Sequence, residues 1–93
     1  MRLDSNGIAI LWSSTRKICS FCYSIEVTQH WFQGHGLVAG QWRYTIYFDA
    51  NTERPIVHWS IANSVDAAID KANAWLDAHS EAMNYDKAHA NKF

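Results

Sequence analysis

One proline, four glycines and two cysteines are spread through 93 residues, and each scarcity removes something from consideration. With so little proline and glycine, no linker divides the chain and no low-complexity run interrupts it. Two cysteines, in a chain whose first apolar stretch is too short for a secretory signal, predict free thiols in a reducing compartment, the cytoplasm. No run of about eighteen apolar residues exists, so no membrane partner is expected. A net charge of −1 offers no basic footprint, so direct binding of nucleic acid is not favoured. Phosphate-cradling loops of the Walker or dinucleotide type and a serine elbow are missing as well.

What is present describes one folded domain. Hydrophobic residues make up 48% and charged residues 18%, with five tryptophans among them. That is a globular composition, and a chain of this length can bury a core without staples.

The stretch "CSFCYSIEVTQHWFQGHG", residues 19–36, holds two cysteines and two histidines in zinc-finger order. Its spacing excludes the metal. Only seven residues separate Cys22 from His30, and they alternate as a strand. At about 3.3 Å per residue the two lie on the order of 26 Å apart in extended chain, whereas zinc ligands sit about 2.0–2.3 Å from one ion. Cys19 and Cys22 point to opposite faces, which also argues against a redox pair. No metal, no cofactor and no catalytic residue is expected. Asp66 and Asp70 have a spacing that can hold magnesium, but such pairs on a solvated helix face are far commoner without a metal.

The fold expected is α+β, a four-stranded antiparallel sheet with one face covered by a C-terminal amphipathic helix. After a turn at Asn6-Gly7, "IAILWS" reads as a first strand and "SSTRK" as a turn. From Lys17 apolar and polar residues alternate, with Cys19, Phe21, Tyr23, Ile25 and Val27 on one face. "HWFQGHGLVAG" carries three of the four glycines and reads as a loop. "QWRYTIYFD" alternates again, with Trp42, Tyr44, Ile46 and Phe48 inward, and "IVHWSIA" is the fourth strand, with Trp59 inward. The strands fall within 8–61. Asn63 or Ser64 caps a helix over about 64–83, with Asp66 in its first turn. Val65, Ala68, Ile69, Ala72, Trp75, Leu76, His79 and Met83 form its apolar stripe, and the pattern fades through residues 84–93.

Two features point toward a partner. Asp66, Asp70, Asp77 and Glu81 fall within an arc of about 60° on the far side of the helix. With Lys71 as the only base over 63–83, that segment carries −3, against +1 for residues 1–62. Uncompensated like charges cost a helix stability, and they suit a basic partner, which they steer. The second feature is Trp31-Phe32, adjacent aromatics in the glycine-rich segment and typical interface anchors. These six residues are the candidate partner-binding set. The partner expected is a protein or ribonucleoprotein with a basic surface.

In size, fold class and lack of catalytic motifs the whole chain resembles the small phage and mobile-element proteins that block host defence, anti-CRISPR proteins in particular. That resemblance implies a non-enzymatic inhibitor acting by occupancy of a larger complex. The segment "WRYTIYFD…SIANSVDAAIDKANAWLDAH" is similar to the strand-then-helix part of HicB-type antitoxins. Two alternatives stand beside the inhibitor: a small hydrolase or nuclease using His30, His35, His58 and an acid, and an antitoxin-like or self-assembling module, since exposed strand edges invite pairing.

Overall fold

The computed structural model describes residues 2–4, 6–18, 21–32, 34–49 and 54–79, together with the helical backbone of 80–90. Four strands, β1 (Trp12–Ile18), β2 (Phe21–Phe32), β3 (Gly36–Phe48) and β4 (Ile56–Ala62), are followed by one helix, α1 (Val65–Ala90). The sheet is antiparallel throughout, in the order β1-β2-β3-β4. This is the expected α+β architecture. Consecutive strands pair because their links are of hairpin length, so each finds its neighbour before any other.

One sheet face is apolar because the alternation in the central strands keeps register. Ile25 opposes Ile46 and Val27 opposes Tyr44 across β2 and β3, and all four are buried. Against them α1 sets Ala68, Ala72 and Leu76, each wholly excluded from solvent. Large side chains on the sheet meet small ones on the helix, so the backbones approach closely and the gap between layers fills. Ser64 caps α1, its Oγ accepting from the Ala67 N–H at 3.0 Å, which satisfies a donor the helix itself cannot.

Five sequence expectations are corrected. β1 is "WSSTRKI", not "IAILWS", and residues 8–10 follow the Asn6-Gly7 turn outside the strand, with Ala9 bridging Leu3. Its polar Arg16 lies at the sheet margin and reaches Asn73 and Asp77 of α1 at 3.1 and 2.8 Å, so a half-solvated edge strand reads as a turn. "HWFQGHGLVAG" is not a loop. β2 runs through Phe32 and β3 starts at Gly36, with only the short turn between them. Four residues of β3, Val38 to Gln41, oppose the single His30, and Gly40 with φ +75° supplies the left-handed backbone such a bulge requires. Trp59 faces away from the helix and is 48% exposed. Its β3 partner is Thr45, and the helix-facing partner of Ile46 is His58. Finally, α1 continues to Ala90 rather than ending near Met83, and His79 is exposed rather than part of the core stripe. Cys19 lies outside the described residues.

The second sheet face is partly covered by the N-terminal segment. The Asp4 carboxylate accepts from the N–H groups of Asn6 and Ile8 at 2.8 and 2.9 Å. Together with Gly7 at φ +79° this turns the chain back on itself. Leu3 then bridges Ala9. The segment brings Arg2 to Glu26, 3.2 Å away.

Leu76 occupies the centre of the layer contact. Leu76→Ala is expected to cost about 3 kcal/mol, the usual range for a fully buried leucine. Asp70→Ala, on the exposed side of the same helix, is expected to change stability by less than about 0.5 kcal/mol. Urea melts of both variants measure the difference, and similar losses for the two would invalidate the facing assigned to α1.

Candidate functional site

The outer face of α1 is where the predicted acidic stripe sits. Asp66 and Asp70 are exposed, and no ion pair engages either among the described residues. Lys71 does not offset them, because its Nζ donates to the Ile61 carbonyl at 3.3 Å. Asp77 differs. Its carboxylate takes a 2.8 Å contact from Arg16, which ties the helix to the β1 margin. The stripe therefore has an open end, at Asp66 and Asp70, and an end committed within the fold. The side chain of Glu81 lies outside the described residues.

Trp31 and Phe32 are separated in role by the strand they belong to. Phe32 is 53% exposed and its ring meets His30 edge-on at 4.6 Å. Trp31 is half-buried. The Arg43 guanidinium lies over its ring at 4.6 Å and over that of Trp59 at 4.3 Å, so one cation is held between two indoles. Each such contact contributes about 0.5–2 kcal/mol, more where water is excluded. Arg43 also donates to the Trp31 carbonyl at 3.3 Å. The result is an aromatic and cationic patch on the face opposite the helix, extended by exposed Val57. Sequence reasoning placed Arg43 outward correctly but missed its association with Trp59, because their proximity depends on which β4 residue opposes Thr45.

Beside this patch lies a polar cleft of about 750 Å³, whose lining includes Arg2, Asp4, Ser24, Glu26, Tyr47 and Arg54. Glu26 is its buried centre, 4% exposed, with Arg2 at 3.2 Å and Arg54 at 3.4 Å. A buried carboxylate needs such partners, since removing it from water costs several kcal/mol. Burial raises the Tyr47 phenol above its ordinary range, and the nearby Glu26 and Asp4 charges raise it further, so it stays a neutral donor. Burial pushes the Asp49 carboxyl up as well, but hydrogen bonds from Ser24 and Arg54 and the Arg54 charge outweigh it and hold it low. The charges in the cleft are thus largely satisfied by one another. Sequence patterning gave no signal of it, because its residues come from the N-terminal turn, β1, β2, β3 and Arg54.

The histidines proposed for a hydrolytic alternative occupy separate surroundings. His35 is exposed in the β2–β3 turn. His58 lies beneath the helix, 3.0 Å from the Tyr44 hydroxyl through Nε2, and stacks on Trp75 at 4.7 Å. His79 covers the other side of that indole at 3.9 Å. His30 is 1% exposed, and neither ring nitrogen has a hydrogen-bond partner among the described residues. No group of three or more His, Cys, Asp or Glu side chains among the described residues is placed to hold a metal ion.

His30 and His58 give a pH prediction. Burial holds both imidazoles below their ordinary value, aided by the Arg43 charge at His30 and by His79 at His58. Below pH about 6.5 the unfolded chain takes up protons that the folded chain refuses, so stability is fully present above that value and falls as pH drops through it. In His30→Leu the urea midpoint is expected to fall less between pH 7 and pH 5 than in the parent. At pH 7.5 it is expected to stay within about 1 kcal/mol of the parent, since no hydrogen bond is lost. Parallel acid slopes for the two proteins would contradict the assignment.

No family model matches this chain, and no curated protein or solved structure is significantly similar to it.

Proposed function

We propose that this chain is a non-enzymatic interaction protein, an inhibitor that docks on a larger protein or ribonucleoprotein bearing a basic surface. The observation that carries the reading is the open end of the acidic helix face. Asp66 and Asp70 stand one turn apart with no ion-pair partner among the described residues, and the Lys71 ammonium is turned to the sheet edge. Like charges at this spacing destabilise an isolated helix by a few tenths of a kcal/mol, a cost that docking to a basic surface offsets. Charge of one sign on a face steers encounter and suppresses wrong partners. The resemblance to anti-CRISPR proteins suggests the class of target: a complex whose positively charged channel normally holds nucleic acid. The exposed Phe32 is the accompanying apolar anchor.

The test uses the partner co-purified from the native host and a doubly substituted chain, Asp66→Lys with Asp70→Lys. Association is followed at two salt concentrations. Slower association, at least tenfold at low salt, with a weakened salt dependence and a fold retained apart from the roughly 0.3–1 kcal/mol lost when Asp66 leaves the first turn of the helix, is the expected outcome. Equal association rates for the two proteins at low salt would remove the helix face from the interface. Metal-dependent turnover of generic phosphoesters by the parent protein would overturn the non-enzymatic reading itself.

A further inference from the structure

The two edges of the sheet are built differently. In β3 the Phe48 N–H donates to the Pro55 carbonyl at 3.0 Å, while the Asp49 N–H donates the other way, to the Cys22 carbonyl at 2.8 Å. Alternation along β3 therefore turns the backbone groups of Ile46, Tyr44 and Trp42 toward β4, where they meet His58, Ser60 and Ala62. Trp59 and Ile61, between those three, direct their N–H and C=O groups to the free edge. The Lys71 ammonium of α1 reaches the outward Ile61 carbonyl at 3.3 Å, and a strand pairing at this edge takes its place there. At the other edge the Leu11 N–H donates to the Val27 carbonyl. Because Cys22 turns to β3, alternation along β2 turns Tyr23, Ile25 and Val27 toward β1, where they meet Arg16, Ser14 and Trp12, and this leaves Ser13, Thr15 and Lys17 outermost on β1. One edge is thus polar and bears a lysine, a device that keeps other strands away. The other has no charged residue in its own strand and is β-branched and aromatic, with Lys71 of α1 beside it.

We propose that β4 is a self-association edge, at which a second copy of this chain pairs antiparallel about Ser60 and continues the sheet from four strands to eight. The segment is complementary to itself in that register. Trp59 of one copy opposes Ile61 of the other, twice over, and each pair exchanges two backbone hydrogen bonds. These aromatic against β-branched pairs lie on the face away from the helices. On the helix side Ser60 opposes Ser60, and His58 opposes Ala62, small enough to admit it. The register stays clear of the irregularity between Ile46 and Tyr47, where β4 holds one residue more than β3. No charged residue lies in β4 itself, whereas β1 carries Arg16 and Lys17.

The helices permit the approach. α1 lies chiefly over β3, so with strands about 4.8 Å apart the two helices would stand about 14 Å apart, beyond the 8–10 Å of direct helix contact. The intervening seam is where Trp75 and His79 stack above His58. The five residues that pair, His58 to Ala62, make a small interface, below the size of a standard stable one, so the dimer expected is a weak one seen at high protein concentration. The inference is independent of the acidic helix face.

Sedimentation velocity of the parent protein, from a few to several hundred micromolar, is the first measurement. A dimer is expected, and Trp59→Lys is expected to weaken it at least tenfold while leaving the circular dichroism spectrum unchanged. The register is read by Ser60→Cys in a background of Cys19→Ser and Cys22→Ser. A non-hydrogen-bonded antiparallel pair places its Cα atoms about 4.5 Å apart, within disulfide range, so mild oxidation is expected to cross-link that variant. Thr15→Cys, on the β1 edge, is expected to remain uncross-linked. A parent that stays monomeric throughout, a dimer that survives Trp59→Lys, or a dimer that Ser60→Cys does not cross-link would each overturn the proposal. The parent mass and the cross-link do not depend on the lysine variant folding.

Discussion

Everything in this fold follows from one contact, the bed of Ile25, Val27, Tyr44 and Ile46 on which Ala68, Ala72 and Leu76 lie. A single helix can cover one face of a four-stranded sheet and no more. The apolar side chains of β2 and β3 are therefore committed to that face, and the period-two alternation of a strand sends their neighbours to the other. Glu26, Thr28, Arg43 and Tyr47 are on the second face because Ile25, Val27, Tyr44 and Ile46 are on the first.

That second face then needs its own solution. Polar side chains at the centre of a sheet are partly cut off from water, and they persist only when paired. The N-terminal turn brings Arg2 to Glu26, Arg54 approaches from the β3–β4 link, and Tyr47 and Asp49 complete the set. Farther along, Arg43 makes no ion pair among the described residues, feels the Asp4 charge only at longer range, and is held between the faces of Trp31 and Trp59. A guanidinium is planar and weakly hydrated, so two indoles hold it where an ammonium would fit less well. His30, buried opposite the bulge, has no hydrogen-bond partner at either ring nitrogen among the described residues, and the Trp31 Nε1 and Arg43 Nε beside it lack one as well.

Function in such a molecule resides in what the core contact leaves over. The helix has a far side, and there Asp66, Asp70 and Asp77 are all exposed, but among the described residues only Asp77 is ion-paired, to Arg16 at the β1 margin. The sheet has two edges, and only one carries charge in its own strand. A small domain with a single helix layer thus offers two surfaces of unlike chemistry: one acidic and suited to steering, the other without charge in its own strand and suited to backbone pairing.

The sequence by itself determined the elements and their faces wherever periodicity is strong. Alternation in β2 and β3, the capped stripe of α1 and the antiparallel order all follow from local spacing and short links, which are properties of neighbouring residues. Tertiary structure decided the rest. That Ser13 to Arg16 form a strand depends on Asn73 and Asp77 lying within reach of Arg16. That the glycine-rich stretch is a hairpin depends on a bulge that re-registers β3 against His30. Trp59 faces away from the helix because β4 carries an extra residue against β3, and an offset of one residue reverses every side chain beyond it. Register is a relation between strands, and no single stretch of chain contains it.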